Sequence, residues 1–204
     1  MTLGDWESLQ EYEWIRVLRK CPQDPVHHAE GNVWIHTGMV LEALSGDRRY
    51  AAMGEAERDV LWAAAVLHDV AKPETTVREP DGRVTAKGHS AKGAMRARGI
   101  LWELGMPFAR REEVCGLIRN HQVPFFLIER EDAQRVAARI SLTARCSLLA
   151  VLAEADIRGR ICGDLQRVLD NIALLEDYCR EQGCWDGARE FPSPLARYEY
   201  FARE

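Results

Sequence analysis

The sequence predicts an all-α helical bundle carrying one small β-hairpin around residues 75–86. Three observations predict it. Apolar residues recur at helical spacing through most of the stretch from Ser8 to Glu181. Proline and glycine punctuate that pattern every few turns. One segment alone changes its period.

In chain order, Ser8 to Lys20 places Leu9, Trp14, Val17 and Leu18 at fair helical spacing, and Cys21-Pro22 ends the run. A loop from Gln23 to Asn32 follows, with Pro22 and Pro25 around its start, the pair His27-His28, and Glu30-Gly31. A second helix spans Asn32 to Ser45, led by Trp34, with Val33, Thr37 and Val40 on another side. The strongest helical pattern is Glu55 to Ala71, where Val60, Leu61, Ala64, Ala65, Leu67 and His68 share an inward arc and Pro73 stops it. Thr75-Thr-Val and Arg83-Val-Thr then flank Glu79-Pro-Asp-Gly, a hairpin signature. Helical spacing resumes from His89 to Leu104, then over Arg110–Asn120, Asp132–Leu142, Cys146–Ile157 and Asp164–Glu181. Gly105-Met-Pro107 and Val123-Pro124 break the series. Trp34 and Trp102 are expected in the core.

With 204 residues, 47% of them hydrophobic, the chain can bury a substantial core, and it reads as one domain over 1–204. Residues 182–204, with Pro192 and Pro194, are expected to cover that core. The formal charge of -5 gives no global reason to wrap nucleic acid, so such a substrate would be held locally. Met1 to Gln10, carrying Asp5 and Glu7, lacks the apolar stretch of a signal peptide. The longest apolar run, Val60 to Leu67, is too short to cross a bilayer. The six cysteines are scattered without a C-x-x-C pair, against a zinc ribbon or a thioredoxin-type site. They read as reduced thiols of a cytoplasmic protein.

Chemistry concentrates on histidines and acids. His68-Asp69 alone means little, since roughly one such chain in three contains the step by chance. On a helix the two side chains would stand about 100° apart and could converge on one point. Imidazole with carboxylate suits manganese, iron, cobalt, nickel or zinc better than calcium. Asp156 ends an apolar helix containing Leu148, Leu149 and Leu152, where an acid is costly unless paired or metal-bound. Lys72, one of four lysines, follows His68 by four residues, and Arg160 follows Asp156 by four. Such cations beside a metal site would neutralise a bound phosphate and its transition state. His27 and His28 read as solvated loop residues. Arg96, Arg98, Arg110 and Arg111 read as a solvated face with acidic neighbours.

The order His36, His68-Asp69, His89, His121, Asp156 resembles the HD superfamily of metal-dependent phosphohydrolases. The resemblance implies one metal on His36, His68, Asp69 and Asp156, and a second on His89 and His121 with Asp69 bridging. These core motifs span 36–160. Glu30-Gly-Asn-Val-Trp-Ile-His36 and His68-Asp-Val-Ala-Lys-Pro73 are similar to HD modules found with tRNA nucleotidyltransferases and nucleic-acid end-processing enzymes. Ala155-Asp-Ile-Arg-Gly-Arg160, Arg180-Glu-Gln-Gly-Cys-Trp185 and Phe191-Pro-Ser look most like the HD phosphoesterase domain of bacterial RNA end-healing enzymes, which precedes a P-loop polynucleotide kinase. The resemblance implies two divalent transition metals that activate a hydroxide, with Asp69, Lys72 and Arg160 catalytic and the last two binding the phosphate. The implied substrates are 2′,3′-cyclic phosphates and 2′-phosphates on RNA ends or nucleotides. The chain holds no G-x-x-x-x-G-K-[ST], so it is expected to be an excised domain or a stand-alone relative, with any kinase fused or separate. Two other readings share the metal residues: a nucleotidase or other HD phosphodiesterase, and an HD-fold di-iron oxygenase.

Overall fold

The computed structural model describes Trp6 and residues 8–202. Asp5, Glu7 and the end of the 182–204 segment lie outside the described residues. Helices dominate: α1 (Glu13–Arg16), α2 (Val33–Ser45), α3 (Arg48–Ala52), α4 (Glu55–Leu67), α5 (Lys72–Thr75), α6 (His89–Glu103), α7 (Phe108–Asn120), α8 (Val123–Phe126), α9 (Ala133–Ser141), α10 (Cys146–Arg158), α11 (Leu165–Glu181) and α12 (Pro194–Ala202). One antiparallel hairpin, β1 (Val77–Arg78) with β2 (Val84–Thr85), pairs Val77 with Thr85 and Arg78 with Val84. The all-α expectation with one hairpin is borne out.

The centre is α4. Ala63, Ala64, Ala65, Val66 and Leu67 are consecutive and all buried, so its C-terminal half is enclosed on every side. Small alanines let α2, α7 and α10 approach that half closely. Helix α10 is enclosed in the same way from Leu148 to Ala153 and packs on both α2 and α11. Asn32 caps α2 by accepting from the Ile35 N–H at 3.0 Å.

The first predicted helix is instead three short pieces: 3-10 turns at Ser8–Glu11 and Val17–Lys20 on either side of α1. Ile15 and Leu18, three apart, are its fully buried residues, a spacing that suits the tighter 3-10 turn. The predicted helix over Glu55–Ala71 ends at Leu67, four residues early. Pro73 lies in the first turn of the next short helix, α5, rather than stopping the previous one. Pro124 likewise lies in the first turn of α8. Trp34 packs against the core, stacked on Trp6 at 4.1 Å, but Trp102 lies on the outer face of α6 with 70% exposure and is not a core residue. Arg96, Arg98, Arg110 and Arg111 form the expected charged face, paired with Glu74, Glu112 and Asp59. Among the described residues, no single helix is long and apolar enough to cross a membrane.

Gly159 sets one close helix approach. A Cβ on Gly159, at the end of α10, would lie 2.7 Å from the Val40 backbone nitrogen of α2 and 2.6 Å from its Cγ2. Only glycine lets α10 end directly against α2, with Asp156 and His36 side by side. Replacing Gly159 with alanine forces backbone movement rather than a rotamer change, and the expected loss is about 1–3 kcal/mol in urea unfolding. A stability equal to wild type would show that the two helices can separate without cost.

Candidate metal centre

Six side chains meet at the end of α4, and most stand at the ends of their elements. His36 lies one turn into α2. His68 caps α4 and His121 caps α7, while His89 is the first residue of α6, entered from Gly88 in the left-handed region at φ +77°. Asp156 is in the last turn of α10. Asp69 is not on the helix body as expected; it sits in the turn after α4, where its carbonyl accepts from the Lys72 N–H at 2.9 Å. All six are buried, none above 4% exposure.

Hydrogen bonds fix the histidine tautomers. Nδ1 of His68, His89 and His121 each lies 2.7 Å from a backbone carbonyl, of Ala65, Ala86 and Ile118 respectively. His36 Nδ1 is 3.0 Å from the Gly159 carbonyl and 3.1 Å from Glu30 Oε1. A carbonyl or carboxylate can only accept, so every Nδ1 carries a proton and donates. The four Nε2 atoms therefore turn inward. His36 Nε2 and His68 Nε2 are 3.2 Å apart, and His89 Nε2 and His121 Nε2 are 3.3 Å apart. Lone pairs facing each other at that distance repel unless a cation lies among them.

Asp69 joins the two pairs. Its Oδ2 lies 3.2 Å from His68 Nε2, and its Oδ1 lies 3.2 Å from His89 Nε2. Neither oxygen has a hydrogen-bond partner, although both are buried. Lys72 Nζ approaches Oδ2 to 2.7 Å as an ion pair without that alignment. Asp156 Oδ1 adds a donor 3.1 Å from His36 Nε2. Two groups could thus each hold a metal ion: His36, His68 and Asp156, and Asp69, His89 and His121. Nitrogen and carboxylate donors of this kind match a divalent transition metal, and the partnerless Asp69 oxygens are the groups such an ion would satisfy.

The surrounding charges are arranged to suit. Burial pushes Asp69 up, but Lys72 and His68 outweigh it and hold the carboxyl well below the usual range. Burial likewise opposes Asp156, where Arg160 and His36 win in the same direction. Arg160 grips Asp156 by Nε at 3.0 Å and Nη2 at 2.8 Å, with its guanidinium 4.7 Å above the Phe125 ring. Burial pushes His121 down to about 3, so it is a neutral donor at neutral pH. His36 moves the other way: burial opposes charging, but Asp156 and Glu30 outweigh it and raise its imidazole above the ordinary value.

Three residues beside the centre were given no role in it from sequence. Glu30, its side chain 1% exposed, bonds His28 Nδ1 at 2.7 Å and accepts from the Ile161 N–H at 3.0 Å while facing His36. It orients a potential ligand through that ligand's outer nitrogen. His28 is buried beside it, contrary to the solvated-loop expectation, and burial pushes its imidazole down to about 4; His27 is exposed as expected. Gln23 Oε1 lies 2.5 Å from Lys72 Nζ. These loop positions follow no period, and only the Glu30–His36 stretch carried a signal. A cleft of about 330 Å³ opens beside the centre, lined by Gln23, Lys72, His89, Phe125, Phe126 and Arg160.

His28 and His121 make stability pH-dependent. Both have folded values below the ordinary 6.5, so the unfolded chain takes up protons first as pH falls. Metal-free protein is expected to lose stability from about pH 6.5 downward, at about 1.4 kcal/mol per pH unit for each histidine. Urea unfolding between pH 4 and 7 measures this, and His121→Asn should remove one histidine's share of the slope. An unchanged slope would sink the assignment.

Residues 33–156 match the HD domain family. The chain is 32% identical over 150 residues to the multifunctional CCA protein of Aromatoleum aromaticum, covering 68% of this chain and 33% of that protein. It is 37% identical over 81 residues to the A-adding tRNA nucleotidyltransferase of Deinococcus radiodurans, covering 39% of this chain and 18% of the relative. A bifunctional uridylyltransferase/uridylyl-removing enzyme of Rhodopseudomonas palustris is 32% identical over 108 residues, half of this chain and 10% of its own. The chain thus spans a third or less of the length of these relatives. A family match across the whole span from α2 to Asp156, together with four histidines and two aspartates converging in the order of that match, makes this chain a member of the HD domain family.

Proposed function

We propose that the protein is a metal-dependent phosphohydrolase acting on 2′,3′-cyclic phosphates or 2′-phosphates of RNA ends or nucleotides. The observation that carries the reading is the inward convergence of four imidazole Nε2 atoms around the buried Asp69 carboxylate, whose oxygens no hydrogen bond satisfies. His36, His68, Asp69 and Asp156 would hold one divalent ion, and His89, His121 and Asp69 a second, from manganese, iron, cobalt, nickel or zinc. Ions bound there would lower the pKa of water toward neutrality and polarise the phosphorus.

The chain's own residues supply the rest. Lys72 lies at the cleft with its ammonium already beside Asp69, so it can reach a phosphate oxygen without leaving the centre. Arg160 spends Nε and Nη2 on Asp156, and the second terminal nitrogen serves the phosphate. Gln23 steadies Lys72, and Glu30 with His28 holds the His36 ring. Phe126, its ring half-exposed in the cleft, offers a face for a base. Water's oxygen forms the new bond to phosphorus, one ribose oxygen leaves, and that oxygen takes up a proton released by the water. A second round on the monoester yields inorganic phosphate.

The relatives support the substrate class. One is named as an A-adding tRNA nucleotidyltransferase and another for removing uridylyl groups, which requires breaking a phosphoester bond.

With manganese, adenosine 2′,3′-cyclic phosphate and 2′-AMP are expected to turn over faster than 3′-AMP and 5′-AMP, and Asp69→Ala to abolish all activity. Lys72→Ala should keep its metal content and lose about 10²-fold in kcat. Full activity in Lys72→Ala would overturn the phosphate clamp. Preference for 5′-AMP would move the protein to the nucleotidases, and oxygen uptake by ferrous-loaded protein would move it to the oxygenases.

A further inference from the structure

Three of the six cysteines, one of them 33 residues before the other two, which lie five apart, meet in space. Cys146 opens α10, Cys179 lies in the last turn of α11, and Cys184 follows the turn beyond. All three are buried, all are free thiols, and their Sγ atoms lie within 4.8 Å of one another. The backbone is folded to bring them there. Gly183, in the left-handed region at φ +61°, reverses the chain, and the Cys184 N–H donates to the Cys179 carbonyl at 2.8 Å. The Ser147 N–H donates to the Trp185 carbonyl at 3.0 Å, tying the turn to the start of α10.

Packing alone does not call for this. A buried thiol is a small hydrophobe and a weak donor, and gains nothing from two others. Of these thiols, Cys146 has an acceptor, the Ala137 carbonyl at 3.8 Å. A second feature concerns charge. The Arg189 guanidinium faces Cys184, and its buried Nε has no hydrogen-bond partner. It is held in place by its own N–H donating to Ser141 Oγ at 3.0 Å, by Nη1 donating to the Gln182 carbonyl at 3.0 Å, and by the Tyr200 ring at 4.6 Å. Arg189 itself is half-buried, so this cation stands at the rim of the thiol cluster.

We propose that Cys146, Cys179 and Cys184 bind one thiophilic divalent ion of the zinc class as a structural site. Three thiolates around a divalent ion carry one net negative charge, which Arg189 matches; a monovalent ion would leave two. Binding releases three thiol protons to solvent. Tetrahedral zinc needs a fourth donor, and the Ser141 hydroxyl, beside Cys184, is placed to give it or to hold a water that does. The site pins the segment after α11 to α9 and α10, and it does not depend on the centre around Asp69.

Cobalt substitution reads thiolate ligation directly, because sulfur-to-cobalt charge transfer gives strong near-ultraviolet bands that nitrogen and oxygen ligands do not. Reduced full-length Asp69→Ala protein, loaded with cobalt, is expected to show those bands at one equivalent, and zinc to abolish them. Added to Asp69→Ala, Cys184→Ser should weaken or remove the bands, and placed alone in the wild-type chain it should keep phosphohydrolase turnover. If that variant does not fold, the Asp69→Ala spectrum decides by itself. Cobalt-loaded, folded and reduced protein without the bands would overturn the site, as would two of these sulfurs found joined as a disulfide in protein purified without oxidant.

Discussion

The structure turns on how a helical bundle holds two carboxylates and four converging imidazole lone pairs in its dry centre. Burying one uncompensated charge costs several kcal/mol, and Asp69 has both oxygens buried without a hydrogen bond. Such a cluster persists only if cations or metal ions complete it and if its donors cannot swing away. Each histidine is fixed from behind by a backbone carbonyl: for His36, His68 and His121 it lies in or just after the last turn of a helix, where carbonyls run out of partners within the helix, and for His89 it is Ala86 in the turn before α6. The groups that helix ends leave unsatisfied thus aim most of the Nε2 atoms. This explains why His68 and His121 stand at the C-terminal ends of their helices rather than mid-helix.

The remaining charge is handled asymmetrically. On the cleft side, Lys72 and Arg160 neutralise Asp69 and Asp156 and line the opening through which a ligand would enter. On the other side of His36, Glu30 and His28 form a buried relay that ends at the Ile161 N–H. A cation serving both a ligand carboxylate and an incoming anion stays desolvated and oriented before the anion arrives, which is the condition under which electrostatic stabilisation is strongest. Phe125 under Arg160 removes water from one face of that guanidinium.

Helix α10 connects the two candidate sites. Cys146 begins it and Asp156 lies ten residues on, about 15 Å along the axis. Between them every residue from Leu148 to Ala153 is buried, so the helix has no freedom to slide. Gly159 lets its far end meet α2, and the turn around Cys184 holds its near end. The position of Asp156 therefore depends on packing at both ends of one rigid element.

The helices, the hairpin and the six central histidines and aspartates were legible because each rests on local chemistry or on an ordered set of residues. Helical periodicity marks an apolar arc on α4 and α10, and Glu-Pro-Asp-Gly marks the hairpin. Periodicity reports a side chain's place around its own axis and says nothing of what packs against that axis. Hence Trp102 looked like core and faces solvent, while His28 looked solvated and is buried by Glu30 and its neighbours. The turn carrying Asp69 was hidden because Val70 and Ala71 continue an apolar pattern although the helical hydrogen bonding stops at Leu67. Gln23 and Glu30 come from an aperiodic loop, and the cysteines lie 33 and 5 residues apart along the chain. Their meeting required two helices to pack and one glycine to reverse the chain. Sequence by itself determined which donors this protein possesses and in which helices most of them lie. Tertiary structure decided which of those donors share a space, because distance between segments is set by packing and not by order along the chain.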